Sequence, residues 1–123
     1  MENRPTLTRQ ELEIMKIVWE LKTATVRDVY EALLRRRKIA YTTVLTMMKI
    51  LEQKKHLKRS GGERAYVYQA ARPKNQVVKS MVQEFINRVF NGSAEPLLVH
   101  LVRDRHLSEE DLERIARMVR ESQ

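Results

Sequence analysis

In HLKRSGGERAYVYQA, residues 56–70, the spacing of apolar side chains changes from a helical period to an alternating one. Leu57 marks a first strand, and Ala65, Val67 and Gln69 alternate with Tyr66, Tyr68 and Ala70 in a second. Gly61-Gly62 between them supplies the positive-φ positions that a tight hairpin needs. Before this switch the chain reads as three short helices. Thr8-Arg9-Gln10-Glu11 has the form of a capping box and opens a helix to Leu21, with Leu12, Met15, Val18 and Trp19 on one side. Thr25 caps a second helix, in which Val26, Val29, Tyr30 and Leu33 keep the helical period, and RRRKIA links it to a third. Three helices followed at once by a basic hairpin describe a winged helix-turn-helix. The expected fold is mainly α with a small β element (α+β), and the DNA-binding domain is expected over residues 1–72.

The third helix, AYTTVLTMMKILEQKK, is apolar at Val44, Met48 and Leu51 but carries Thr42, Thr43 and Thr46 opposite. Threonine is a poor helix former, because its branched side chain loses rotamer freedom against the preceding turn. On a helix that enters the major groove it has compensating merits. It is short enough to let the backbone approach, its hydroxyl donates or accepts, and its methyl can meet a thymine methyl. The cluster Thr42, Thr43, Thr46 and Lys49 is therefore expected to contact DNA, with capping of the helix as a competing role for Thr42.

Charge agrees. Residues 1–72 hold 16 Lys/Arg and 8 Asp/Glu, leaving 24 − 16 = 8 and 16 − 8 = 8 for residues 73–123. The whole excess of +8 thus sits in the first part, as a polyanion-binding stripe requires. Arg35, Arg36, Arg37 and Lys38 are expected to clamp phosphates, and Lys58, Arg59 and Arg64 flank the hairpin tip. The competing reading is an adaptor whose basic face binds RNA or an acidic protein partner.

From Pro73 the pattern is helical again. Val77, Val78, Met81, Val82, Phe85, Ile86, Val89 and Phe90 form two rows at i, i+4 spacing, and Asn91-Gly92 ends them. Leu98 and Leu101 follow in a second segment, and Ser108 caps a last helix with Leu112, Ile115, Met118 and Val119 inward. Three helices in some fifty residues cannot bury these stripes by themselves. Residues 73–123 are therefore expected to dimerise through Val78, Met81, Val82, Phe85, Ile86, Val89, Leu98, Leu101 and Ile115, matching a two-fold DNA site.

Other functions lack their residues. With no cysteine there is no disulfide or thiolate metal site. His100 and His106 do not share a helical face, His56 is expected to be exposed beside Lys54 and Lys55, and no metal or other cofactor is expected. No serine has a base partner, so no catalytic residues are assigned and no enzyme is expected. No apolar run is long enough to span a membrane, and no secretory signal is visible; a cytoplasmic location is expected.

The segments LTRQELEIMKIVWE, ATVRDVYEALL, AYTTVLTMMKILEQKKHLKR, AYVYQA, FINRVFNGS and DLERI together resemble the penicillinase-repressor family (BlaI/MecI/CopY), from about Leu7 to Met118. The resemblance implies a homodimeric winged-helix repressor of transcription that binds a palindromic operator on double-stranded DNA. It places major-groove contacts at Thr42, Thr43 and Thr46, and wing contacts at Arg59 and Arg64. It also implies a sensor protease as a partner. Where antibiotic-responsive members have a scissile Asn-Phe bond, this chain has His100-Leu101; and it lacks the C-terminal cysteine cluster of the copper-responsive members.

Overall fold

The computed structural model describes residues 7–61 and 66–122, and the chain falls into two units, Met1–Val78 and Lys79–Gln123. In the first, Thr8 opens α1 (Arg9–Leu21) through a complete capping box: its hydroxyl accepts from the Glu11 N–H, and the Glu11 carboxylate accepts from the Thr8 N–H. Ile14, Met15, Ile17 and Val18 of α1 are all buried, so this helix is enclosed on more sides than one stripe. It stops at Lys22, whose φ of 73° is left-handed. A two-residue strand β1 (Thr23–Ala24) follows, and Thr25 then opens α2 (Val26–Leu34) with a second capping box, closed by Asp28.

Helix α3 (Tyr41–Gln53) starts at Ala40, which makes no side-chain cap. Its buried residues are Val44, Met48 and Leu51, as their spacing predicts. Strands β2 (Leu57–Ser60) and β3 (Val67–Ala70) pair antiparallel from Leu57↔Ala70 to Ser60↔Val67, forming the wing. The tip, with Gly62 and Arg64, and the expected strand start at Ala65 lie outside the described residues. On the other edge of β3 lies β1, with Ala24 opposite Tyr68, so the sheet has three strands in the order β1-β3-β2. β1 carries no visible period because two residues are too few to show one. The core joins α1, α2, α3 and this sheet: Ile14, Val18, Leu33, Met48, Leu51, Leu57 and Tyr68 are all essentially inaccessible.

His56 corrects an expectation. It is buried, at 4% exposure, rather than solvated. The chain turns sharply at Lys55 (φ 67°), and the next residue is drawn inward: the His56 N–H donates to the Leu51 carbonyl at 2.9 Å, and its own carbonyl accepts from the Ala71 N–H at 2.8 Å. Of its basic neighbours, Lys54 turns to Glu11 on α1. Trp19 of α1 ties the chain beyond β3 to this unit, its indole N–H donating to the Arg72 carbonyl at 3.2 Å.

The remaining chain is helical: α4 (Lys74–Phe90), α5 (Glu95–Arg103) and α6 (Glu109–Glu121). α4 ends at Asn91 and Gly92, both at positive φ, where the Gly92 N–H reaches back to the Ile86 carbonyl at 3.1 Å. Ser108 and Asp111 form the capping box of α6. The Ser108 backbone and hydroxyl, with Arg114, hold the Asp111 carboxyl below its ordinary value. Neither α5 nor α6 contains a buried residue. Val78, Val82, Phe85, Val89, Leu98 and Ile115 are all exposed, whereas Ile86 is buried and Met81 and Leu101 are half-buried.

Candidate nucleic-acid interface

The outer face of α3 is built by its inner one. With Val44, Met48 and Leu51 sunk into the core, helical geometry turns Thr42, Thr43, Thr46 and Lys49 to solvent, and all four are exposed. Because Ala40 occupies the cap position, Thr42 is the second residue of the helix and does not cap it. The threonine hydroxyls make no hydrogen bond among the described residues, and Lys49 has no ion-pair partner among them. Gln53, also exposed, extends the same line one turn further; the i, i+4 step from Lys49 could have found it.

The orientation of α3 is set at both ends by charge. Near its C-terminus, Lys54 Nζ contacts both Glu11 carboxylate oxygens, at 2.8 and 3.0 Å. Burial pushes the Glu11 carboxyl up, but the bond to Lys54, the Thr8 backbone N–H and the Lys54 charge together outweigh it. The net value lies below the ordinary 4.5. At the other end, the loop before α3 is tied to α1: Arg37 donates to Glu13 at 2.7 Å, with Arg36 at 3.8 Å from the same carboxylate. Two of the four residues expected to clamp phosphates, Arg36 and Arg37, are thus brought together around an acid. Sequence proximity hides this, because Glu13 lies on another helix.

On the wing, Arg59 is not a free projecting cation either. It lies 3.4 Å from the Glu52 carboxylate on α3, and its guanidinium stacks over the Tyr66 ring at 4.0 Å. The wing is therefore latched to α3, and the latch holds Arg59 on the same side as Lys49. Arg64 lies outside the described residues.

In the C-terminal unit, His100 and Leu101 sit in the last turn of α5. The His100 carbonyl accepts from the Asp104 N–H at 2.9 Å, and the Leu101 carbonyl from the N–H groups of His106 and Leu107. The His100 ring packs 5.9 Å from Phe90, which in turn meets Phe85 edge to face. No group of His, Asp and Glu able to hold a metal ion occurs among the described residues, and no described helix is long and apolar enough to cross a membrane.

The sequence that builds this winged helix-turn-helix matches the penicillinase repressor family over residues 7–121. The chain belongs to that family. Among its relatives, the penicillinase repressor of Bacillus licheniformis is 23% identical over 121 residues, covering 98% of this chain and 94% of that one. The transcriptional regulator BlaI of Mycobacterium tuberculosis is 34% identical over 94 residues, or 75% and 68% of the two chains. Among solved structures, the DNA-binding domain of the repressor BlaI superposes with a TM-score of 0.54 at 26% identity, covering 60% of this chain and 90% of that one. Monomeric BlaI of Bacillus licheniformis in complex with the blaP half-operator gives 0.52 at 25% identity, covering 61% and 92%. The winged-helix fold of the first unit is that of these penicillinase repressors.

Proposed function

We propose that this penicillinase-repressor family protein is a DNA-binding transcriptional repressor that acts as a homodimer on a palindromic operator. Residues 1–72 bind DNA and residues 73–123 dimerise. The observation that carries the reading is the exposed line Thr42, Thr46 and Lys49, presented by a helix whose other face is fully buried. Its relative BlaI has been solved on a half-operator, which supports duplex DNA as the partner. Thr42, Thr43 and Thr46 read base edges, Lys49 reaches a guanine edge or a phosphate, and Arg59 and Arg64 follow the backbone from the wing. Arg36 and Arg37 reach phosphate by giving up Glu13.

The dimer reading rests on the absence of any buried residue in α5 and α6, and on the exposure of Val78, Val82, Phe85, Val89, Leu98 and Ile115. Release from DNA follows when the dimer weakens, because one half-site carries only part of the contacts. Cleavage at His100-Leu101 by a sensor protease would weaken it, but only after the C-terminal end of α5 unwinds, since both carbonyls there accept from N–H groups of the turn that closes the helix.

The test is Thr46→Ala in a salt-controlled gel-shift titration on operator selected from genomic fragments. Operator affinity is expected to fall by about 1–2 kcal/mol, with random duplex little affected. Equal losses on both would remove the base-contact role. Binding without any sequence preference would favour the adaptor reading.

A further inference from the structure

Between the N-terminus of α2, the side of α3 and the wing lies a cleft of about 640 Å³, sitting beside the helix face just described. Three tyrosines line it, Tyr41, Tyr66 and Tyr68, together with three cations, Arg27, Lys49 and Arg59, over an apolar floor from α2 and α3. The rings are held in place. Tyr41 packs edge to face on Tyr30 at 5.4 Å, Tyr66 lies under Arg59, and Tyr68 is 1% exposed in the sheet.

A duplex backbone would use the cations and tyrosine hydroxyls of such a wall, but not its ring faces. Sugar and phosphate offer charge but no flat apolar face, whereas this cleft presents the exposed rings of Tyr41 and Tyr66 beside positive charge. Two of its cations are already matched, Arg27 by Glu31 at 3.9 Å and Arg59 by Glu52 at 3.4 Å. Lys49 is unmatched among the described residues, so that among them the cleft carries one positive charge beyond its ion pairs. A flat ring with a single negative charge fits both conditions. We propose that the cleft binds a small planar aromatic monocarboxylate, and that this occupant competes with DNA because it takes Lys49 and holds Arg59 on the protein. The competition rests on the DNA-binding reading; the binding itself does not. An occupant of this kind makes the chain responsive to an aromatic acid without any cleavage.

The probe is 2-naphthoate, titrated calorimetrically into the full chain without DNA. Its 13 heavy atoms at the usual efficiency for small ligands correspond to a dissociation constant on the order of 1 mM. Saturable binding is expected, weakened about tenfold in Tyr66→Ala, where an exposed ring is removed without touching the core. The same weakening is expected for neutral 2-naphthamide and for cyclohexanecarboxylate, which lack the charge and the ring. Phe85→Glu on α4 should leave the binding intact, which separates the cleft from the exposed C-terminal faces. Absence of saturation up to about 10 mM, or binding indifferent to Tyr66→Ala, overturns the proposal. Naphthoate should also lower duplex binding in the gel shift. Ligand binding that leaves duplex affinity unchanged overturns the competition, and a chain that binds naphthoate but no duplex keeps the site and loses the DNA reading.

Discussion

The Glu11 carboxylate accepts from the Thr8 backbone at 2.9 Å and from Lys54 at 2.8 and 3.0 Å, so one side chain both caps α1 and anchors the end of α3. At 5% exposure it sits where an unpaired charge is costly. Its folded-state value is depressed, so the stability it contributes is fully present above the ordinary 4.5 and is lost as the pH falls through the lowered value. Glu11→Gln keeps the shape and removes the charge. At pH 7 it is expected to cost about 1–3 kcal/mol in urea unfolding, with the gap to wild type closing below pH 4.5. A gap that stays constant down to acid pH would show that the charge contributes nothing. The threonines of α3 behave oppositely: Thr42, Thr43 and Thr46 are exposed, so their substitution should alter recognition rather than folding.

The recognition helix is positioned by its neighbours more than by its own sequence. α3 has no side-chain cap, and its first turn is steadied instead by the preceding loop, tied to α1 through Glu13, Arg36 and Arg37. That tie also withholds two positive charges from DNA. In Glu13→Ala both arginines are released. Stability is expected to fall by about 0.5–1 kcal/mol, the range of a part-exposed pair, while affinity for random duplex rises and its logarithm falls more steeply with salt by about one. An unchanged salt slope would mean that Arg36 and Arg37 do not reach phosphates at all. The Arg59 latch to Glu52 and Tyr66 plays the corresponding part on the wing, fixing β2 against α3.

Considered as a whole molecule, the chain divides its work by solvent exposure. The first unit has a closed core around Ile14, Val18, Met48 and Tyr68, while α5 and α6 contain no fully buried residue and large apolar side chains remain open on all three C-terminal helices. Phe85, 40% exposed, lies on such a face, so a charge there should not disturb folding. Phe85→Glu is expected to sediment as a monomer and to bind a full operator about a hundredfold more weakly, since the two half-sites no longer act together. A variant that still sediments as a dimer would place the interface elsewhere.

Much of this was legible along the chain because it depends on near neighbours. The capping boxes at Thr8, Thr25 and Ser108 each join residues three apart, and the buried line Val44, Met48 and Leu51 follows from helical period alone. The change of period after residue 56 revealed the wing for the same reason. What no local pattern carries is which distant charges meet. Arg37 finds Glu13 across 24 residues and Lys54 finds Glu11 across 43, so the basic stretch that reads as open to phosphate is partly engaged by acids of α1. His56 is drawn inside by the turn at Lys55, and two residues become a strand only because β3 lies beside them. Local hydrogen bonding and periodicity decide the elements; the pairing of charges, and the tyrosine-lined cleft beside α3, arise only when those elements pack.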